Sequence, residues 1–401
     1  MANTILTPTM VTREALVILH QKLNFIGSIN RGYDDYYAIP GAKIGSALKI
    51  RLPNQYTVRT NATLSTQTTT ESSVTLTISN QYGVDTSFTS ADLTLSLQDF
   101  SERILDPAMS VLAANIENSA LGMINDVYQA VDNTTNTSMS MATVLSARKV
   151  LTDALAPSDG KRTGILTTQD SADLVNALKG LFQDSTAIKE QYREGMMGRT
   201  GGFEFYENTL LANLTSGTSS AAPATYVTDT VVPATSTGSL AVANSAVGGT
   251  FVVGDVFTIA SLNRVHPETK ANTGVLQQFV VSTAVTMATA TSITFTPAIV
   301  MSGATQNVIS TAIAGQLIVK MGTPSRVLRQ SLFHHKDAFV FGTADLLMPK
   351  GVHFSAREVL DGISMRIVQQ YTISDDAFPA RIDVLFGHKT VRPQLAVKVN
   401  S

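Results

Sequence analysis

Residues 51–97 constrain the fold more than any other part of the sequence, because they alternate threonine with apolar residues and carry almost no charge. Threonine and valine favour an extended backbone. The alternation around Val74, Leu76 and Ile78 therefore predicts a β-strand. Two strands flanking the polar tip NATLSTQTTTESS would form a long hairpin. An isolated two-stranded ribbon is only marginally stable in water, so we expect this hairpin to lean on a neighbouring surface.

The segment before the hairpin, residues 1–50, predicts an arm that lies on another surface. Thr12 is a candidate N-cap for an amphipathic helix. The apolar residues expected on one face of this helix are Ala15, Leu16, Leu19 and Leu23. The following GYDDYYAIPGAKIGSA contains too many turn-forming residues to continue a helix.

The clearest helical pattern follows the hairpin. Asp106 is a candidate N-cap, and Pro107 suits the first helical position. Apolar residues then recur at steps of three and four, at Met109, Leu112, Ala113, Ile116, Ala120, Met123, Ile124 and Val127. This pattern predicts a spine helix from Pro107 to Val131, roughly 37 Å long at about 1.5 Å per residue. A second helix is expected from Ser140 to Leu155, and ILTTQDSADLVNAL predicts a strand, a cap and a helix.

Residues 214–312 have a different composition. They hold very few charged residues, and short apolar runs such as VFTIA, QQFVV and SITFTPAIV alternate with turn sequences. This pattern predicts a small all-β module. Its position between a helical segment and a strand-rich one indicates an insertion. Residues 313–401 carry short alternating segments that we expect to complete the core begun before the insertion.

Composition narrows the classes of protein that fit. Charged residues make up only 15% of the 401 residues, which favours a surface covered by other protein chains. The net charge of −2 gives no sign of a nucleic-acid-wrapping surface. The sequence has no cysteine, which excludes disulfides and thiolate metal sites. The N-terminal residues do not have the pattern of a signal peptide, and no apolar stretch is long enough for a membrane span, so we expect a cytoplasmic origin.

The run GMMGRTGGFEFYEN could cradle a phosphate or turn the chain. Its glycines, Gly195, Gly198, Gly201 and Gly202, fit neither GxxxxGK[ST] nor GxGxxG. A strand-like segment begins at Phe203, where a nucleotide site would need a helix. We therefore predict a tight helix-to-strand connection that uses glycine for positive φ.

No catalytic constellation is present. His334 and His335 would point to opposite faces of a strand, which suits a shared metal poorly. Asp375 and Asp376 are adjacent acids of the kind that usually form a cap or a solvated corner. We predict no enzyme activity, no metal site and no cofactor.

The order of these segments resembles the major capsid proteins of tailed bacteriophages, which have the HK97-like fold. It is most similar to the coat proteins of short-tailed Salmonella phages, which carry an insertion domain. The resemblance rests on QYREGMMGRTGGFEFYEN, on GDVFTIASLNRVHPETKANTGVLQQFVV, on SITFTPAIV, on SLFHHKDAFVF and on the C-terminal DGISMRIVQQYTISDDAFPARIDVLFGHKTVRPQLAV. These motifs occur in the family's order over nearly the whole chain.

The resemblance implies an α+β fold with six segments. They are an N-terminal arm (1–50), an extended hairpin loop (51–95), a peripheral domain with the spine helix (96–160), the first part of an axial domain (161–213), the inserted β-barrel-like domain (214–312) and a segment that completes the axial and peripheral domains (313–401). In such shells the arm and the hairpin lie across neighbouring subunits, and the glycine run turns the chain within the axial domain.

The implied function is a major capsid protein that self-assembles into an icosahedral shell around double-stranded DNA in the bacterial cytoplasm. The implied partners are further copies of the chain in pentamers and hexamers, a separate scaffolding protein, a portal and, as an open alternative, a decoration protein. The hairpin holds no lysine, which argues against isopeptide cross-linking through this loop.

The resemblance also implies where subunits meet. The interface residues expected in the hairpin loop are Tyr56, Val58, Arg59, Leu64, Thr69, Val74 and Leu76. Those expected in the arm are Leu16, Leu19, Tyr33 and Tyr36. The structural turn is expected at Gly195, Gly198, Gly201, Gly202 and Phe203.

Two other classes of protein stay open at this point. One is a surface-layer or adhesin-like protein, which threonine-rich β modules would suit. The other is a sugar-acting enzyme with a β-sandwich appendage, which would need a pair of acids in a cleft.

Overall fold

The computed structural model describes most of the chain. The described residues are 8–31, 47–60, 62–64, 66–67, 71–89, 105–133, 138–178, 199–219, 226–228, 235, 238–244, 248–288, 290–309, 315–360, 362–373 and 377–401. The fold is mixed α/β and divides into two compact units. The first unit takes its described residues from Met1–Ile50, Ser73–Gly122 and Phe339–Val391, and the second from Arg51–Ser72, Met123–Ala338 and Arg392–Ser401.

The described helices are few and short. They are α1 (Pro8–Lys22), α2 (Asn24–Ser28), α3 (Asp106–Leu121), α4 (Met141–Asp153) and α5 (Thr168–Leu178). Short 3-10 helices cover Gly122–Asp126, Lys336–Ala338 and Pro393–Leu395. None of the helices in the described part of the chain is both long and apolar enough to cross a membrane.

Strands make up most of the remaining described structure. In chain order they are β1 (Ala47–Arg51), β2 (Ser73–Thr77), β3 (Asn80–Thr89), β4 (Ala130–Asp132), β5 (Arg162–Leu166), β6 (Arg199–Thr200), β7 (Phe203–Glu207), β8 (Leu214–Thr215), β9 (Tyr226–Thr228), β10 (Ser239–Asn244), β11 (Thr250–Phe251), β12 (Val256–Val265), β13 (Asn272–Val281), β14 (Val285–Thr286), β15 (Ala290–Thr296), β16 (Val308–Ile309), β17 (Ile318–Lys320), β18 (Val327–Leu328), β19 (Gln330–His335), β20 (Phe339–Ala344), β21 (Phe354–Leu360), β22 (Ile363–Gln369), β23 (Ala377–Thr390) and β24 (Ala396–Asn400).

The first unit is built around an antiparallel sheet centred on β23. Along one side of β23 runs β3, paired from Thr89 opposite Ala377 to Asn80 opposite Phe386. Along its other side lie β22 and β20, and β21 pairs with β22. Helix α1 packs on β21 and on α3, and α3 also packs on β3. The sheet and these helices share one apolar core.

Helix α1 differs from the prediction at its start and in its role. It begins at Pro8, a residue suited to a first helical turn, so Thr12 lies inside the helix and is buried rather than acting as its N-cap. Leu16 and Leu19 are also buried within this unit. The expectation that they form a subunit interface is therefore corrected: α3 and β21 of the same chain cover them.

The spine helix is shorter than the periodicity predicts. The α-helix runs from Asp106 to Leu121, and a 3-10 helix follows from Gly122. Leu105 occupies the N-cap position, so Asp106 is the first helical residue rather than the expected cap. Residues that were expected in its last turns instead form β4, beginning at Ala130. Met123, Ile124 and Val127 are buried as the pattern requires. The pattern therefore identified burial correctly and the length of the helix wrongly.

The second unit contains a six-stranded sheet in the order β4-β24-β19-β5-β7-β6. Strand β24 is parallel to β4, and β5 is parallel to β7, while the other pairs are antiparallel. Helix α4 packs on β24, and its N-cap is Ser140, whose hydroxyl accepts the backbone N–H of Thr143. The helix expected from Ser140 to Leu155 is present and ends at Asp153. The strand, cap and helix expected in ILTTQDSADLVNAL are found as β5, Thr167 and α5, with Thr167 Oγ1 accepting the N–H of Asp170.

The same unit contains a seven-stranded sheet formed by β9, β10, β12, β13, β15, β16 and β17. A bridge between Val227 and Leu317 links β9 to the residues next to β17, and β17 pairs with β12. The strands therefore close into a barrel. Its interior is aromatic: the rings of Phe257, Phe279 and Phe295 pack on one another with centroids 5.1 to 5.7 Å apart.

Candidate assembly surfaces

The loop between β1 and β2 exposes apolar side chains. Val58 is 90% exposed, Leu64 is 78% exposed and Tyr56 is 56% exposed. Soluble single chains rarely expose several large apolar residues in one segment without a partner. These three residues and the exposed Arg59 fit the interface expected from the sequence, although Thr69 lies outside the described residues.

Side chains of the loop form hydrogen bonds to its own backbone. The Gln67 carboxamide accepts the backbone N–H of Thr57 at 2.9 Å and donates to the carbonyl oxygen of Thr57 at 2.5 Å. It thus replaces one pair of the hydrogen bonds that a β-ladder would make. The Arg59 guanidinium donates to the carbonyl oxygen of Ala62 at 2.8 Å. These bonds constrain the described residues around Thr57, Arg59 and Gln67, although the side chains there are exposed.

Strand β2, at the base of the loop, exposes less apolar surface than the loop itself. Leu76 is fully buried within the first unit, which corrects its expected role at a subunit interface. The cause is that β2 lies against β23 of the same chain, which covers this side chain. Val74 is half-buried. The exposed apolar surface therefore lies in the loop itself, at Tyr56, Val58 and Leu64, rather than on β2.

The glycine turn joins two strands. Arg199 pairs with Glu204 and Thr200 with Phe203, so that Gly201 and Gly202 alone form the connection between β6 and β7. Their φ angles are +62° and +89°, as a two-residue type I′ turn requires. The predicted turn is confirmed for this part, but it connects strand to strand, and Gly195 and Gly198 lie outside the described residues.

Phe203 fixes the hairpin to the sheet. Its ring is fully buried and meets the ring of Phe333 edge-on, with centroids 5.0 Å apart. Adding a β-carbon at Gly164 would bring it within 3.0 Å of both Phe205 and Phe333. This glycine in β5 therefore makes room for the aromatic layer.

The histidine pair forms no metal site. His334 is fully buried, and burial lowers its pKa to about 4, so it is neutral near pH 7. His335 Nδ1 accepts the N–H of Asp337, which leaves Nε2–H to donate to Asp159 Oδ1 at 3.0 Å. Across the described residues there is no group of histidine and acidic side chains that could hold a metal ion. Asp375 and Asp376, the adjacent acids of the sequence, lie outside the described residues.

A small cavity of about 120 Å³ lies between α4 and the β12–β13 hairpin. Tyr128, Lys149 and Arg264 line it, and Arg264 is paired with Asp153 at 3.3 Å. Burial raises the pKa of Tyr128 to about 12, so its hydroxyl stays protonated near neutral pH. The cavity contains neither a nucleophile beside a base nor a pair of carboxylates, and so offers no catalytic arrangement.

Two buried lysines were missed by the sequence analysis. Lys398 is fully buried and donates to the carbonyl oxygen of Gly254 at 2.7 Å. Lys320 donates to the Ser216 hydroxyl and to the carbonyl oxygen of Gly217. Burial lowers the pKa of both lysines, that of Lys398 to about 7, and the nearby Asp255 carboxylate opposes the shift.

Asp255 completes this cluster by binding backbone. Its Oδ2 accepts the N–H of Gly217 at 3.1 Å and the N–H of Val252 at 3.0 Å. The buried charges of Lys320, Lys398 and Asp255 therefore connect three parts of the second unit. These parts are the residues after β8 that lead into the barrel, the barrel strand β17 and strand β24. Sequence offers little warning of such a cluster, because lysine is almost always a surface residue.

Comparison with known proteins gives one family match. Residues 32–399 match the family described as P22 coat protein - gene protein 5. None of the curated proteins is similar to this chain in sequence.

Solved structures of phage proteins are also similar over most of the chain, at low sequence identity. A structure from Mycobacterium phage Che8 is 12% identical, with a TM-score of 0.47 over 94% of this chain and 90% of that one. The capsid of cyanophage P-SCSP1u is 9% identical, with a TM-score of 0.44 over 90% and 85% of the two chains. The mature capsid of bacteriophage PhiM1 is 8% identical, with a TM-score of 0.39 over 90% and 83%.

Proposed function

We propose, because this chain belongs to the P22 coat protein family, that its exposed hairpin loop joins neighbouring copies in a phage head. As a member of this family the chain is a major capsid protein that forms the head shell of a tailed bacteriophage. It is a structural component of the virion and not an enzyme.

The exposed apolar residues of the loop carry this proposal. Val58 is almost completely exposed, and hydrogen bonds from Gln67 to Thr57 and from Arg59 to Ala62 constrain the described backbone on either side of it. A preorganised apolar loop binds with a smaller loss of conformational entropy than a flexible one. We infer that Tyr56, Val58, Arg59, Leu64 and Thr69 contact another copy, and that Tyr33 and Tyr36 do so from the arm.

The finer architecture is part of the same proposal. The segments would follow the HK97-like order: arm 1–50, hairpin loop 51–95, peripheral domain 96–160 and axial domain 161–213, with the barrel inserted at 214–312 and the core completed by 313–401. The closed barrel and its aromatic interior support a separately packed insertion. Its last paired strand, β17, ends at Lys320, beyond the boundary expected from composition.

The proposed partners are other copies of the chain in pentamers and hexamers, with a scaffolding protein and a portal during assembly. The shell would enclose double-stranded DNA without reading its sequence. A decoration protein is a further candidate partner. No observation favours the surface-layer or sugar-acting alternatives, since the family match accounts for residues 32–399.

Expression of the chain with Val58→Asp tests the loop. We expect wild-type chains to form particles of tens of nanometres in negative stain when the assembly partners are co-expressed. The charged variant should stay as folded subunits, because burying an unpaired carboxylate at an interface is costly. Val58→Thr keeps the shape without the charge and serves as the control. Normal particles from Val58→Asp would refute the role of the loop.

A further inference from the structure

One end of the six-stranded sheet gathers cations from separate parts of the sequence. Strand β5 begins there with Arg162, which pairs with His335 at the end of β19. The β6–β7 hairpin lies beside β5, with Thr163 opposite Glu204 and Glu204 opposite Arg199. The register therefore places Arg162 and Arg199 at the same end of the sheet.

Further positive side chains surround this end. The backbone N–H of Lys336 donates to the carbonyl oxygen of Lys161 at 3.1 Å, which places these two exposed lysines side by side. Arg148, on α4, extends toward the hairpin turn: a β-carbon added at Gly202 would lie 3.6 Å from its Nε. Burial lowers the pKa of Arg162, and the positive charge of the neighbouring Arg148 lowers it further.

Arg148 and Arg199 are available for a partner. Both are exposed, and neither forms an ion pair with a described residue. Arg199 stands opposite Glu204, yet its guanidinium lies over Gly160, where an added β-carbon would be 2.6 Å from Nη2. Glu204 Oε1 instead accepts a hydrogen bond from the Tyr206 hydroxyl at 2.8 Å.

Few described acids lie near this end. Asp159 accepts a hydrogen bond from His335 at 3.0 Å and pairs with Lys161 at 3.2 Å. The Asp337 carboxylate lies 3.7 Å from His335 Nδ1, the nitrogen that accepts the Asp337 N–H. Among the described residues here, the cations Arg148, Lys161, Arg162, Arg199 and Lys336 outnumber the carboxylates of Asp159, Glu204 and Asp337, in a chain whose net charge is −2. A local positive surface on such a protein attracts a polyanion.

We propose that Arg148 and Arg199, supported by Lys161 and Lys336, form a surface that contacts the phosphate backbone of double-stranded DNA inside the shell. Guanidinium groups match phosphate geometry by donating two hydrogen bonds, and contacts of this kind carry no sequence information. The glycine turn does not itself cradle phosphate, but it holds Arg199 and Arg148 on one surface. This inference rests on the proposed function, because it requires a shell that encloses DNA.

Binding of a fluorescein-labelled 30-base-pair duplex to purified full-length subunits tests the proposal. Affinity would be measured by anisotropy at several salt concentrations. We expect the double variant Arg148→Gln, Arg199→Gln to bind several-fold more weakly, with the slope of log K against log[salt] smaller by about 1.8, since about 0.9 counterions are released per phosphate contact. Lys350→Gln with Lys389→Gln removes the same charge at two other exposed positions and should leave binding nearly unchanged.

Two results would overturn the inference. Equal losses in the two double variants would mean that net charge alone attracts DNA. Tighter binding of poly-L-glutamate than of the duplex, lost only in the Arg148 and Arg199 variant, would assign the surface to an acidic protein instead. Particle formation is scored separately by negative stain. Absence of wild-type particles would refute the shell function, whereas normal particles with unchanged DNA binding would refute only the DNA contact.

Discussion

Asp383 accepts a hydrogen bond from Arg366 Nη2 at 2.6 Å at a position in β23 where the aspartate has no exposed surface. Arg381 Nε donates to the other carboxylate oxygen at 2.9 Å. Strand β3 passes so close that a β-carbon at Gly83 would lie 2.5 Å from Asp383 Oδ1. The buried carboxylate with its two guanidinium partners therefore joins β22 to β23, and β3 packs directly against it at Gly83.

Replacing this carboxylate should destabilise the first unit strongly. We expect Asp383→Asn to lower the free energy of unfolding by about 3 kcal/mol, because it leaves the largely buried Arg366 without its counter-charge. Urea unfolding of free subunits measures the change. Asp85→Asn is the matched control: Asp85 is 79% exposed and 3.8 Å from Arg381, so its loss should cost less than about 0.5 kcal/mol. A similar small effect from both variants would contradict the structural role of Asp383.

Lys398 should make stability depend on pH in a defined direction. Burial lowers its pKa in the folded chain to about 7 from the ordinary value of 10.5. Between these two values the unfolded chain binds a proton that the folded chain does not, so the contribution of Lys398 to stability rises with pH across this window. Below about pH 7 both states are protonated, and the cost of burying the charge is fully present.

The difference in the free energy of unfolding between wild type and Lys398→Met isolates the contribution of Lys398. We expect the free energy of unfolding of wild type, relative to the variant, to increase by a few kcal/mol between pH 6.5 and pH 9.5, at about 1.4 kcal/mol per pH unit within the window. Lys389→Met, at an exposed position of β23, should show no such change. A pH-independent difference for Lys398→Met would contradict the prediction.

The β6–β7 turn should not tolerate a side chain at its second position. Gly202 has a φ of +89°, where an L-residue is strained, so Gly202→Val should cost about 1–3 kcal/mol. Gly122→Ala is the control, because Gly122 has a φ of −54° and no atom within 4 Å of an added β-carbon. Thermal unfolding of both variants measures the contrast, and equal melting temperatures would argue against the strain.

Local signals in the sequence were sufficient for several elements. The alternation around Leu76 identified β2, and Ser140 identified the start of α4, because strand alternation and capping depend on residues close in sequence. The length of α3 could not be predicted in this way. Apolar spacing continued past Gly122, yet Ala130 and Val131 pair with β24, a partner more than 260 residues away in the sequence.

The candidate interface shows a second limit of sequence analysis. The resemblance implies a subunit contact for both Leu16 and Val58, but an apolar residue in the sequence does not reveal whether its own chain or another one covers it. The structure buries Leu16 in its own unit and leaves Val58 exposed. Only tertiary packing separates the two cases, and the engaged or free state of Arg148 and Arg199 depends on packing in the same way.

The shape of the hairpin loop should matter for assembly more than for folding. Gln67 is exposed, and its carboxamide makes both hydrogen bonds to the backbone of Thr57 across the loop. Gln67→Ala removes both bonds. The free energy of unfolding of the subunit should change by less than about 0.5 kcal/mol, because exposed hydrogen bonds largely exchange with water. Ordering the freed loop at an interface costs roughly 1–2 kcal/mol per residue, so particle yield at a fixed subunit concentration should fall several-fold.

Particle yield is measured by sedimentation and subunit stability by urea unfolding, with Thr66→Ala, a neighbouring exposed position, as the control. Unchanged yield from Gln67→Ala would mean that the loop does not need its preformed shape to join subunits.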